Sequence, residues 1–178
     1  MKVLVACEES QAVCIAFRQL GHEAFSCDTQ ECSGGHPEWH IKGDVLPLIN
    51  GNKPFITMDG ELHAIVGTWD LLIAFPPCTY LTNAGSVRLR VKGEINKERM
   101  AKAIEAKAFF MKFLEADCQK ICVENPTPGK IHQLPEYTQA IQPWWFGHPY
   151  TKRTCLWLKN LPPPYSYGYY SGRSYPVC

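Results

Sequence analysis

The sequence lacks a charge imbalance, a long apolar run and any internal repeat. Its 18 basic and 17 acidic residues leave a net charge of +1, so no overall field gathers a polyanion and any nucleic acid must be held by a local patch. No run approaches the ~20 apolar residues that a membrane span requires. The opening stretch, MKVLVACEES, turns acidic at Glu8, too early for a signal peptide. A cytoplasmic protein that does not engage a membrane is expected. Hydrophobic residues make up 46% of the chain, which excludes wholesale disorder.

Cysteine is not scarce. There are nine, but the number is odd, the chain is long enough to build a core, and most of them lie in apolar runs, so free thiols in a reducing compartment are expected. A length of 178 residues suits one domain. Residues 1–163 are expected to form it, and residues 164–178, rich in Pro, Tyr, Gly and Ser, an extended tail.

KVLVA (residues 2–6) is a short β-branched run. SQAVCIAFRQLG follows with Val13, Ile15, Ala16 and Leu20 at helical spacing and Gly21 as a stop, and EAFSCD then reads as a strand ending at Asp28. This β-α-β order predicts a mostly parallel, Rossmann-like α/β sheet with helices on both faces. FITMDGELHAI, with Asp59-Gly60 at its centre, predicts a small hairpin insertion. WDLLIAF reads as a buried parallel strand. NKERMAKAIEAKAFFMKFLEA reads as a helix with Met100, Ile104, Ala108, Met111 and Leu114 on its inner stripe. KICVENP predicts a strand stopping at Glu124 because Pro126 and Pro128 follow. A short helix around Pro135–Ile141 and a strand in RTCLWL are expected to complete the sheet.

The stretch IAFPPCTYL carries the first chemical signal. Pro76 and Pro77 cannot donate backbone hydrogen bonds, so the strand must end before Cys78 and present it in a stiff loop. Open α/β sheets bind ligands at strand carboxyl ends, and four inferred strands end at or near Glu8, Asp28, Cys78 and Glu124. Their convergence predicts a site.

PPCTYL around Cys78 followed by VENP around Glu124 resembles, in order, the central motifs of the cytosine-C5 DNA methyltransferases. The chain resembles in particular the short phage and prophage proteins of that kind, from residue 1 to about Pro163. The resemblance implies an S-adenosylmethionine-dependent methyltransferase domain. Cytosine C5 is a poor nucleophile, and a thiolate adding to C6 pushes electrons toward it; Cys78 would be that nucleophile. A shielded Glu held neutral can hydrogen-bond the N3 and N4 edge. Glu124 would do so, with Asn125 fixing the loop and Pro77 and Thr79 beside the base. The resemblance also places Arg153 on the cytosine, although a surface charge or a phosphate contact suits it equally.

For S-adenosylmethionine, a carboxylate at the end of the second strand suits two ribose hydroxyls, which assigns Asp28. Asp44 resembles the acid beside the adenine, and Glu8, Ser10 and Gln11 in the first turn, with Pro76, would lie near the methionine end. That turn reads ACEESQ, where the larger enzymes are glycine-rich. The larger enzymes also carry a recognition domain for which there is no room here. Single- or double-stranded DNA is the expected substrate, held with the help of a separate recognition partner, a homodimer or the chain's own loops. Arg88, Arg90, Lys92 and Lys97 form a basic cluster suited to phosphates or to a solvated loop. A non-catalytic nucleotide- or cofactor-binding module on the same fold, or an enzyme modifying a cytosine nucleotide, remain alternatives.

Two further patterns stand apart. Cys27, Cys32, His36 and His40 are spaced as four zinc ligands could be, against which Cys27 adjoins a strand end and can point into the core. QPWWFGHPYTKR can stack bases but reads more readily as core.

Overall fold

Strand β1 (Lys2–Ala6) alternates its side chains between two cores: Leu4 and Ala6 face one and Val3 and Val5 the other. Both faces of the sheet are therefore covered, as a parallel sheet requires. The chain continues through α1 (Ala12–Gln19), β2 (Glu23–Asp28), β3 (His40–Lys42), the hairpin β4 (Pro54–Ile56) and β5 (Leu62–Ala64), and β6 (Leu71–Ala74). Then follow α2 (Asn83–Ser86), the hairpin β7 (Arg90–Val91) and β8 (Glu94–Ile95), α3 (Lys97–Leu114), β9 (Ile121–Pro126), β10 (Gln139–Ile141) and β11 (Thr154–Lys159). The computed structural model describes residues 1–91 and 94–164. Lys92 and residues 165–178, nearly all of the expected tail, lie outside the described residues, as does the side chain of Arg90.

The main sheet has the order β10-β11-β9-β6-β1-β2-β3. Every neighbouring pair from β9 to β3 is parallel, and β11 alone runs against the rest. The order reverses between β1 and β6, which makes their carboxyl ends the topological switch point where such sheets open a crevice. The expected Rossmann-like α/β class, mostly parallel with helices on both faces, is what the chain adopts. The hairpin insertion is present too, with Gly60 at φ 93 in its turn. It also contributes to the core, seating Phe55 against Phe25 at 5.0 Å.

Several local expectations change. Residues 139–141 form a strand, not a helix, because Gln139, Ala140 and Ile141 pair with Leu156, Cys155 and Thr154; tertiary pairing outweighs local propensity there. Strand β9 continues past Glu124 to Pro126, opposite Thr154, since a proline can close a strand where only its carbonyl is needed. Both long helices turn inward a face rotated from the expected stripe, which still packs Val13 in α1 and Met111 and Leu114 in α3 against the core. In α1 the buried residue is Cys14, flanked by Val13 and Phe17, while Leu20 is 74% exposed. In α3 they are Ala103, Phe110 and Phe113, while Ile104 is 63% exposed and lines a surface cleft with Met100 and Ile131. Phe110 meets Trp157 edge-on at 4.9 Å, and aromatic contact of this kind sets the helix rotation over the sheet. The eight described cysteines are all free thiols.

Candidate active site

Adjacent parallel strands β6 and β9 release the two motif loops side by side, and the loops are joined. Gly129 N donates to Leu81 O at 2.8 Å and Asn83 N to Thr127 O at 2.8 Å, with a further bridge between Thr82 and Pro128. Ser86 Oγ donates to Thr82 O at 2.9 Å and lies 3.1 Å from His132 Nε2. A hydroxyl has one hydrogen, so with it on Thr82 the imidazole donates through Nε2. Burial, with Arg99 and Lys107 nearby, holds His132 below its ordinary pKa and hence neutral. The joint is tight at Gly129, where a Cβ would overlap Ser86 Oγ.

Cys78 is half-buried at the start of this clamp, after a buried Pro76 and an exposed Pro77. Its carbonyl accepts from Leu81 N at 3.0 Å and Thr82 N at 3.2 Å, which fixes the turn that carries the thiol. Thr79, beside it, is exposed, and its carbonyl accepts from the Arg99 guanidinium at 3.0 Å. Arg99 also lies 5.0 Å over the Tyr80 ring. Tyr80, Arg88, Asn96, Glu98, Arg99 and Lys102 line a cleft of about 240 Å³, so Arg88 from the expected basic cluster is joined there by two cations from α3.

Glu124 is half-buried, and burial raises its pKa above the ordinary carboxylate range, partly offset by the positive charge of Lys152. Glu124 pairs with Leu156 across the β9–β11 ladder, so by strand alternation Thr154 shares its face, and the charge of Lys152, just before the strand, reaches it. Arg153 is engaged elsewhere: its guanidinium donates to Tyr137 Oη at 2.6 Å and lies 5.7 Å over that ring. The cation beside Glu124 is thus Lys152, not Arg153. Asn125 is fully buried; its Nδ2 donates to Pro126 O at 3.0 Å, and its Oδ1 has no partner among the described residues.

The first turn keeps the backbone shape of a glycine turn without glycine. Cys7 has φ 58 and Gln11 φ 60, left-handed conformations that side chains rarely adopt and that recur at functional turns. Two expected cofactor contacts are committed inward. Both carboxylate oxygens of the buried Glu8 accept from α1, from Val13 N at 2.6 Å and Cys14 N at 3.2 Å, so Glu8 caps the helix. The amide of the fully buried Gln11 holds the next loop, donating to His36 O at 2.8 Å and accepting from His36 N at 3.1 Å. Gly34 permits that approach, since a Cβ there would come within 2.7 Å of Ser10 O. Ser10 itself stays exposed beside this loop.

Asp28 and Asp44 end adjacent strands or stand just beyond them, and each makes a local turn, to Gln30 N at 2.9 Å and Leu46 N at 3.0 Å respectively. Both raise the pKa of Cys7, although burial is the larger cause of its rise to about 12. The two carboxylates and Cys7 therefore gather at one place beside the switch point.

The candidate zinc ligands do not converge. Cys27 is buried in the core, and both ring nitrogens of the fully buried His40 are engaged, Nδ1 with Ser26 Oγ at 2.8 Å and Nε2 with Gln30 O at 3.0 Å. Among the described residues, no group of three or more His, Cys, Asp or Glu side chains could share a metal. The aromatic cluster is not core either: Trp144, Phe146 and Tyr150 are exposed. Among the described residues, no helix is long and apolar enough to cross a membrane.

No family model matches the sequence, and no curated protein matches it. Among solved structures the chain is similar to an rRNA methylase from Escherichia coli, at 16% identity and a TM-score of 0.42. The match covers 89% of this chain and 56% of that one, so the chain spans little more than half of that protein's length.

Proposed function

We propose that this protein transfers a methyl group from S-adenosylmethionine to C5 of a cytosine in DNA through a transient adduct with Cys78. The observation that carries this is the clamp between the loops after β6 and β9, which sets a thiol and a carboxyl of raised pKa on adjacent strand ends. Two such groups can act on opposite sides of one planar ring.

Cys78 Sγ, as thiolate, forms a bond to C6 while ring electrons move toward C5 and N3. Glu124, whose pKa burial raises toward the neutral form, holds in that form a hydrogen bond on N3 and gives the accumulating charge a proton to share. Lys152 limits how far the Glu124 pKa rises. Once the C5 proton has gone to a base, the electrons re-form the C5–C6 double bond and expel the Cys78 thiolate. Asp28 and Asp44 would hold the cofactor, Asp28 at the ribose hydroxyls and the Asp44 loop at the adenine, with Cys7 and Pro76 forming the floor of the crevice. The tight left-handed turn at Cys7 fits that use, because it lets backbone approach a ligand where the larger enzymes rely on glycine. When bound, S-adenosylmethionine supplies an electrophilic methyl group.

The experiment is transfer of a tritiated methyl group from S-adenosylmethionine to cytosine-containing single- and double-stranded DNA. Label should appear on cytosine with the native protein and vanish with Cys78→Ser at unchanged stability. Cofactor binding without transfer to DNA would favour a cytosine nucleotide as substrate; neither binding nor transfer would favour a non-catalytic module.

A further inference from the structure

One connection at the site edge, apart from Lys152, has no role in the chemistry above. Strand β10 runs parallel to β9, so its carboxyl end opens on the same edge as Glu124, and Ile141, Thr154 and Pro126 lie in register across three strands. Residues 142–153 project from that edge between Ile141 and Thr154. They are ordered locally: Trp145 N donates to Gln142 O at 3.0 Å, Gly147 turns the chain at φ 87, and Lys152 N donates to Gln142 Oε1 at 3.0 Å to close the base. From this frame Trp144 is 45% exposed, Phe146 39% and Tyr150 55%. Single exposed rings are ordinary, but three on one short, locally ordered loop are a concentration of exposed apolar surface that calls for a partner.

We propose that residues 142–153 form a stacking platform for the unpaired bases of a single nucleic-acid strand running past Cys78 and Glu124. The substrate class is taken from the function proposed above. The charge suits it: from Tyr137 to Lys159 there is no acidic residue, and Lys152 and Arg153 stand at the base of the loop. Flat rings beside cations are how proteins hold single strands without reading their sequence, because every base offers a π-face. The position suits it too. A cytosine brought out to Cys78 leaves unstacked neighbours, and the loop lies on the edge where those neighbours would pass.

The test is binding of a fluorescein-labelled oligothymidylate to the full-length Cys78→Ser protein at low salt, read by anisotropy and by quenching of tryptophan emission. Trp144→Ala and Phe146→Ala should each weaken binding about tenfold, and Trp144→Phe should retain most of it. Binding of a duplex of equal length should not respond to these changes. The inference is overturned if the parent does not bind oligothymidylate, or if a Trp144→Ala/Phe146→Ala double variant, shown by circular dichroism to be folded, binds as tightly as the parent. Neither Cys78 nor cytosine takes part, so intact binding without methyl transfer would remove the proposed chemistry and leave the platform standing.

Discussion

Replacing Gly129 with alanine tests whether the two motif loops are held as one unit. The backbone of Gly129 lies at φ −69 and ψ 129, open to any residue. With room for a methyl group, Gly129→Ala would therefore stabilise the protein by about 0.4–1 kcal/mol through the unfolded chain. There is no room: the new Cβ would overlap Ser86 Oγ and stand 3.1 Å from His132 Cδ2 and 3.2 Å from Ser86 Cβ. Overpacking of this kind costs about 1–3 kcal/mol, so the net change should be a loss of about 1–2 kcal/mol, read from urea midpoints at constant m. Ser86→Ala alone should cost about 1 kcal/mol for its lost hydrogen bonds. The double variant should be less destabilised than the sum of the two, because removing Oγ removes the worst overlap. Methyl transfer should fall further than stability, since the shifted loop carries Cys78. A stabilised Gly129→Ala protein, or strict additivity in the cycle, would refute the close approach and the clamp with it.

Glu8 caps α1 from a buried position, so Glu8→Ala should cost about 1–2 kcal/mol. Burial holds its carboxyl above the ordinary pKa despite the two amides it accepts, and a raised group contributes stability at low pH that fades as pH rises through its folded value. Glu8→Gln should therefore gain on the native protein as pH rises from about 4, the ordinary carboxylate pKa, through the raised folded value, and a constant difference in urea titrations would contradict this. Lys152→Met removes the charge that restrains Glu124, so the Glu124 pKa should climb and the alkaline limb of the pH profile of kcat/KM should move to higher pH. An unmoved limb would separate Lys152 from the chemistry.

The opening β-α-β unit was legible because an apolar run, a helical period and a glycine stop follow one another within residues 2–28. The Cys78 loop was legible because two prolines forbid the strand to continue. What eluded the sequence depends on distant elements meeting. The inner face of α3 is marked by Phe110 and Phe113, which pack against the sheet, a choice its weak amphipathic pattern does not encode. Lys152 is the cation whose charge reaches Glu124 across the β9–β11 edge, and nothing local distinguishes it from Arg153. Gly129 sits in an ordinary backbone conformation, so only the nearness of Ser86 explains it. The first turn warned of its unusual shape by lacking glycine, but the inward roles of Glu8 and Gln11 follow from the α1 amides and the loop around His36.

The central claim is that Cys78 and Glu124 act on one cytosine, and mechanism-based trapping tests it most directly. Native protein, S-adenosylmethionine and an oligonucleotide containing 5-fluorocytosine should give a covalent adduct by intact mass, since fluorine at C5 blocks the elimination that would release Cys78. Cys78→Ser should abolish the adduct and Glu124→Gln should slow its formation by about 100-fold or more. An adduct that persists in Cys78→Ser, or its absence from native protein under conditions where the cofactor binds, would contradict the account.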